Sequence, residues 1–186
     1  NDVRDAVTKV RSDLPEGILE PQVTRVDVEG GAATLLVTPM GESILIDSGN
    51  PGRRDAERIH RVAVDRAGLK AIDHHIITHW HLDHYGGIER LSQLMPIHRF
   101  YHRGIPDALP EDPNNFPVLI RAFKEAAKDR HQALRPGDVL NLRQLTEGPR
   151  IEVRCLCGNG ETVPDSPESP ENPAAREHKR QPEDPT

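Results

Sequence analysis

Between residues 23 and 102 short apolar runs, glycine-bearing turns and amphipathic stretches follow one another in an order that admits few folds. Residues 23–28 alternate apolar with polar side chains, Gly30-Gly31 turns the chain, and residues 33–38 and 43–47 add two further apolar runs around the Pro39-Met40-Gly41 turn. Lengths and turn residues of this kind predict an antiparallel meander. The period then changes. Ile59, Val62, Ala63 and Ala67 form one helical stripe ended by Gly68. A strand over 72–78, a short helix around Ile88, Leu91 and Leu94 stopped by Pro96, and a strand over 97–102 follow. Strands alternating with helices predict an α/β domain.

Further along, a loop from Gly104 to Pro117 holds four prolines, and long irregular loops are commonly functional. Asn115 is placed to cap the next helix, Pro117 to fill its first turn, and Leu119, Ala122, Phe123 and Ala126 to line its buried side. His131 falls at the end of that helix. The turn Arg135-Pro136-Gly137-Asp138 leads into an expected strand over 139–142, and alternation over 151–157 predicts another with Cys155 and Cys157 on its apolar face. The two thiols are too close in sequence for an unstrained bridge and read as buried strand residues.

Composition separates this folded portion from its ends. The chain has 186 residues, 35% hydrophobic, 3% aromatic and 29% charged, with 17 prolines. Residues 1–21 read as an N-terminal extension with a weak amphipathic helix through Val3, Val7, Val10 and Leu14; residues 22–158 read as the domain; and 159–186 read as a proline-rich, charged loop or disordered tail. A net charge of -6 gives no general attraction for nucleic acid, and no apolar run is long enough for a membrane span. The first residue is Asn1, so the compartment stays open between cytoplasmic and exported after loss of a leader. Oligomeric state is equally open.

Chemistry concentrates in Thr78-His79-Trp80-His81-Leu82-Asp83-His84-Tyr85-Gly86-Gly87. Three imidazoles and a carboxylate within six residues are the donors a borderline-soft divalent ion such as zinc prefers. His79 and His81 project to the same side of extended backbone, while Asp83 and His84 fall on the turn and can face a second ion. Two cations bridged by hydroxide would supply a nucleophile at neutral pH, with Asp83 both ligating and orienting it. Trp80 and Leu82 alternate with the donors as packing residues, and Gly86-Gly87 lets backbones approach closely. Asp47, ending a buried strand, is expected to bond loop amides and buttress the neighbouring site. His60, His74 and His75 lack ligand spacing and read as structural.

That ten-residue stretch resembles the signature of the metallo-β-lactamase superfamily. The hairpin through Val26-Asp27-Val28-Glu29-Gly30-Gly31-Ala32-Ala33, the strand Ile44-Leu45-Ile46-Asp47-Ser48-Gly49 and the Pro136-Gly137-Asp138 turn extend the resemblance over residues 22–158. It is greatest to the branch that includes the hydrolase-like domain of DNA-uptake competence proteins, although Glu-Gly-Gly stands here where that branch usually has Gly-Gln-Gly. The resemblance implies an αββα sandwich with a metal site at one edge, and a zinc enzyme, with two ions in the intact protein, hydrolysing an ester, amide, thioester or phosphodiester. Its substrate would be a small molecule or a phosphodiester. It also implies a later histidine, a bridging aspartate and a last histidine, for which His98, His102, His131, His178 and Asp138 are poor matches by position. The expectation is therefore the N-terminal half of such a sandwich, truncated before its second sheet, with His102 as a substrate contact. The alternatives are a non-catalytic metal-binding module and an inactive fragment lacking half of the site.

Overall fold

The computed structural model describes residues 22–28, 31–148 and 150–164. The expected N-terminal helix, the Glu29-Gly30 turn, His178 and the rest of the tail lie outside the described residues.

Six strands form one sheet in the order β1-β2-β3-β4-β5-β6. They are β1 (Gln22–Val28), β2 (Gly31–Val37), β3 (Ser43–Ile46), β4 (Ile72–Ile76), β5 (Ile97–His102) and β6 (His131–Ala133). β1, β2 and β3 pair antiparallel, as the meander predicts, and β3 to β6 pair parallel. Each parallel step crosses through helix: α1 (Arg54–Arg61) before β4, α2 (Leu82–Tyr85) and α3 (Ile88–Leu94) before β5, and α4 (Phe116–Ala127) before β6. Right-handed crossovers that always step to the same side put every helix on one face of the sheet.

The burial pattern follows from that topology. Leu35, Leu45, Ile72, Ile97 and Phe100 from the sheet meet Ile59, Ile88, Leu91, Ile120 and Phe123 from the helices in the main core. On the opposite face Ile44 and Tyr101 are covered by Leu140 and Leu142, with Leu36, Ile46, Ile76, Ile151 and Val153 only partly buried around them. The α/β class is borne out: a helical layer and a mixed sheet, two of the four layers of an αββα sandwich.

Several local expectations need correction. The helix expected over 55–67 becomes a five-residue π turn at Val62–Arg66 after α1. Asn115 makes no side-chain cap, because its amide donates instead to Asp112 Oδ1 at 2.8 Å. His131 does not end a helix. Lys128, at φ 51°, breaks α4, and His131 opens β6 opposite Phe100. The two strands expected over 139–142 and 151–157 lie side by side with one bridge, Val139 to Arg154. There the Gln144 side chain takes both backbone groups of Ile151, at 2.9 Å each, and so replaces a ladder rung. Cys155 is half-buried and Cys157 is exposed, so neither lies in the core. A tight hairpin of β7 (Cys157–Gly158) and β8 (Glu161–Thr162) follows.

Candidate metal centre at the carboxyl edge of the sheet

The carboxyl ends of β3 and β4 deliver Asp47 and the stretch from Thr78 to His84 to one edge, the usual place for polar chemistry in a parallel sheet. Asp47 leaves β3 at φ 58°, a left-handed conformation that Asp tolerates better than most residues. Its carboxylate, 3% exposed, is turned onto the loop after β4. Oδ1 accepts the Thr78 amide at 2.9 Å, and Oδ2 accepts the Thr78 hydroxyl at 2.8 Å. His84 Nδ1 also lies 2.8 Å from Oδ2. Asp47 thus bonds a loop amide as expected and also reaches an imidazole of the motif.

Backbone contacts stitch the two loops together. The Ser48 amide donates to His84 O at 2.6 Å and the Gly87 amide to Gly49 O at 3.0 Å. A Cβ on Gly87 would stand 2.1 Å from Ser48 O, and one on Gly86 would stand 2.5 Å from Pro51 Cδ. Only glycine admits these approaches, which is what Gly86-Gly87 was expected to supply. Trp80 is 2% exposed and packs on Tyr85, His102, Phe116 and Phe123, while its indole N–H donates to Gly104 O. It anchors the loop from beneath while His79 and His81 stay on the outer side.

The three imidazoles cluster, with ring centroids 3.9 Å apart for His79 and His84 and 4.5 Å apart for His79 and His81. Each ring has one nitrogen engaged from outside. His84 Nδ1 meets Asp47, His79 Nδ1 lies 3.1 Å from the Thr78 hydroxyl, and His81 Nε2 lies 2.8 Å from Glu111 Oε1. A carboxylate accepts only, so Nδ1 of His84 and Nε2 of His81 carry their protons. The Thr78 proton goes to Asp47, leaving its oxygen to accept from His79 Nδ1.

With those outer bonds made, His79 Nε2 and His81 Nδ1 face each other at 3.0 Å, a hydrogen bond if one ring carries a second proton and two facing lone pairs if neither does. Two lone pairs that close call for a positive charge between them. Two nitrogen ligands of one tetrahedral zinc stand about 3.3 Å apart. His84 Nε2 faces Asp83 Oδ2 at 3.6 Å, a second pair of acceptors. The donor set therefore fits a cation in type and in outer hydrogen bonding. Among the described residues, however, no group of three or more His, Cys, Asp or Glu side chains is drawn up to hold one. The inner donors stand in pairs.

Burial first, and then His84 and His81, push the His79 pKa below its ordinary value. Glu111, on the loop before α4, has its carboxyl held low by its own backbone amide and by His81. Neither Glu111 nor the Thr78 hydroxyl was singled out from sequence. Thr78 lies inside the motif and was legible there, whereas Glu111 is 30 residues from His81 and no spacing points to it. A cavity of about 190 Å³ opens beside this contact, lined by Trp80, His81, Leu109, Glu111, Phe116 and Leu119 among others.

His102 does not join the cluster. It is 5% exposed, its Nδ1 accepts the Gly104 amide at 2.9 Å and its Nε2 lies 2.9 Å from His131 Nδ1. Burial, then His131, lowers its pKa to about 4. In this position it braces the loop that starts at Gly104. No helix among the described residues is long and apolar enough to cross a membrane.

A helix-backed mixed sheet with histidines and carboxylates gathered at its carboxyl edge is an α/β domain with its polar chemistry at one end of the sheet. Residues 26–153 match the metallo-beta-lactamase superfamily, and the chain belongs to it. Over 93 residues it is 34% identical to the atrochrysone carboxyl ACP thioesterase of Aspergillus fumigatus, a match covering 45% of this chain and 29% of that protein. It is also similar to MEM-A1, a subclass B3 metallo-beta-lactamase isolated from a soil metagenome library. That match has a TM-score of 0.45 at 25% identity and covers 67% of this chain and 49% of that one. The chain thus spans less than a third of the thioesterase's length and about half of the β-lactamase's. Members of the superfamily are hydrolases, a β-lactamase and a thioesterase among them.

Proposed function

We propose that this chain carries one side of the metal site of a zinc-dependent hydrolase, with His79, His81, Asp83 and His84 as ligands for up to two ions. The observation that carries the reading is the 3.0 Å approach of His79 Nε2 to His81 Nδ1 while the outer nitrogen of each ring is already engaged. When bound, zinc supplies a Lewis acid and an activated water. The chain's own part is positional. Asp47 and Thr78 orient His84 and His79, Trp80 fixes the loop, and Asp83 orients the attacking oxygen. An ester, thioester, amide or phosphodiester is the bond class, and the thioesterase relative puts thioesters first.

The test is zinc stoichiometry alongside hydrolysis of model thioester, ester and phosphodiester substrates. Up to two tightly held ions are expected, with hydrolysis abolished by chelation, restored by zinc and lost in His81→Ala. One weakly held ion with no loss of hydrolysis in His81→Ala would sink the enzymatic reading. A second reading is a non-catalytic module that keeps an incomplete or single metal site, since among the described residues no three donors are drawn together. One tight ion without turnover is its signature.

A further inference from the structure

We infer that Glu111 is a positioning residue that selects Nδ1 of His81 as the inward-facing nitrogen and thereby sets how tightly the edge holds a cation. The inference rests on the reading of the His79–His84 loop as zinc ligands.

Left alone, a histidine on an exposed loop exchanges its proton between the two ring nitrogens and rotates about its side-chain bonds. His81 is 54% exposed, and no neighbour in its own loop holds its outer nitrogen. Glu111 Oε1, 2.8 Å from Nε2, supplies that restraint from another part of the chain. A carboxylate accepts and never donates, so the contact fixes a proton on Nε2 and leaves Nδ1 as the nitrogen 3.0 Å from His79 Nε2.

The loop is built to present this carboxylate. Leu109, two residues before Glu111, is 7% exposed in the main core, and Phe116, five residues after it, is 1% exposed. Between them Leu109 and Asp112 form a bridge, with the Asp112 amide donating to Leu109 O at 3.1 Å. Asp112 Oδ1 then takes the Asn115 side-chain amide at 2.8 Å. Glu111 therefore sits at the tip of a turn pinned at both ends, although the side chain itself is 50% exposed. An exposed ion pair adds little to stability. Its consequence is for the imidazole.

The test compares Glu111→Gln and Glu111→Ala with the parent chain by three measurements: zinc affinity from chelator competition, ¹⁵N signals of the His81 ring in metal-free protein, and thermal melting. Glutamine keeps an accepting oxygen but loses the charge, and alanine loses both. Glu111→Ala should bind zinc about 10- to 100-fold more weakly, give a mixed His81 tautomer and melt with the parent. Glu111→Gln should keep most of the Nε2–H tautomer and lose less affinity. Equal losses in both variants with an unmoved tautomer would assign the effect to charge alone and overturn the inference, as would an alanine variant that binds zinc like the parent. A parent chain that binds no zinc defeats the metal reading, while the ring signals still decide whether Glu111 holds His81.

Discussion

His74, His75 and His102 lie on strands and are at most 5% exposed, whereas His79, His81 and His84 stand where the chain leaves β4, and none of them is buried. The strand group is absorbed by the fold. His74 lies 3.0 Å from Glu42 and 3.2 Å from the Tyr101 hydroxyl, His102 lies against His131 and the Gly104 amide, and His75 faces Phe100. The loop group has one nitrogen per ring restrained and the other turned toward its neighbours. A few residues of chain thus separate imidazoles that serve packing from imidazoles free to bind. The difference is the end of the sheet ladder at Ile76, beyond which side chains no longer alternate between two covered faces.

The side chain that joins the two groups is Trp80, in contact with His102 below while flanked in sequence by His79 and His81. Trp80→Ala should therefore have the largest effect, about 3–5 kcal/mol of stability lost for a large buried aromatic. Urea unfolding measures it, and zinc affinity should fall in the same variant because the loop loses its anchor. A loss under about 1 kcal/mol would mean that the two groups are mechanically independent.

A second effect separates the groups by pH. Burial lowers the pKa of His75 to about 4, only partly opposed by the charge and a backbone contact of Asp47, and neither ring nitrogen of His75 makes a well-aligned hydrogen bond among the described residues. Its folded pKa lies below the unfolded value of about 6.5, so between the two the unfolded chain binds the extra proton. Stability is fully present above pH ~6.5 and falls as the pH drops toward about 4, by at most about 3 kcal/mol from this residue. His102, also lowered to about 4, adds in the same direction. His75→Leu sacrifices no well-aligned hydrogen bond and should flatten the fall measured by unfolding at pH 7 and pH 4.5. An unchanged slope would show that His75 is not held neutral by burial.

What was legible in sequence follows the same division. β2 to β5 and the stripe through Ile59 and Ala63 were readable because covered faces impose a period, whereas the buried side of α4 is Phe116, Ile120, Phe123 and Ala127, with Leu119 exposed. Thr78 and the three imidazoles sit in one continuous signal, and Asp47 ends a separate apolar run. β6 was not readable: His131, Gln132 and Ala133 are all exposed, so no alternation marks them, and only pairing with β5 makes them a strand. The segment over 139–157 shows the converse. Its apolar alternation is real, and Leu140 and Leu142 do cover the second face of the sheet, but the backbone ladder is short and the Gln144 side chain takes its next rung at Ile151. Glu111 was invisible because a tertiary contact alone brings it to His81.

The smallest of these effects sharpens the contrast most. Asp47→Asn preserves the left-handed backbone at φ 58°, which Asn also tolerates, and its carbonyl can still accept the Thr78 amide. What it loses is the second accepting oxygen. An amide NH₂ now faces the Thr78 hydroxyl and His84 Nδ1, so His84 must turn or move its proton. Zinc affinity should fall about 10- to 100-fold, which is roughly 1.4–2.7 kcal/mol, while the metal-free chain loses only about 1 kcal/mol of stability. His74 and His102, whose partners are Glu42, Tyr101, His131 and the Gly104 amide rather than Asp47, should keep their ring signals. If instead folding stability collapses while zinc affinity holds, Asp47 belongs with the strand histidines as a packing group, and the boundary between the two groups lies farther out along the loop than Ile76.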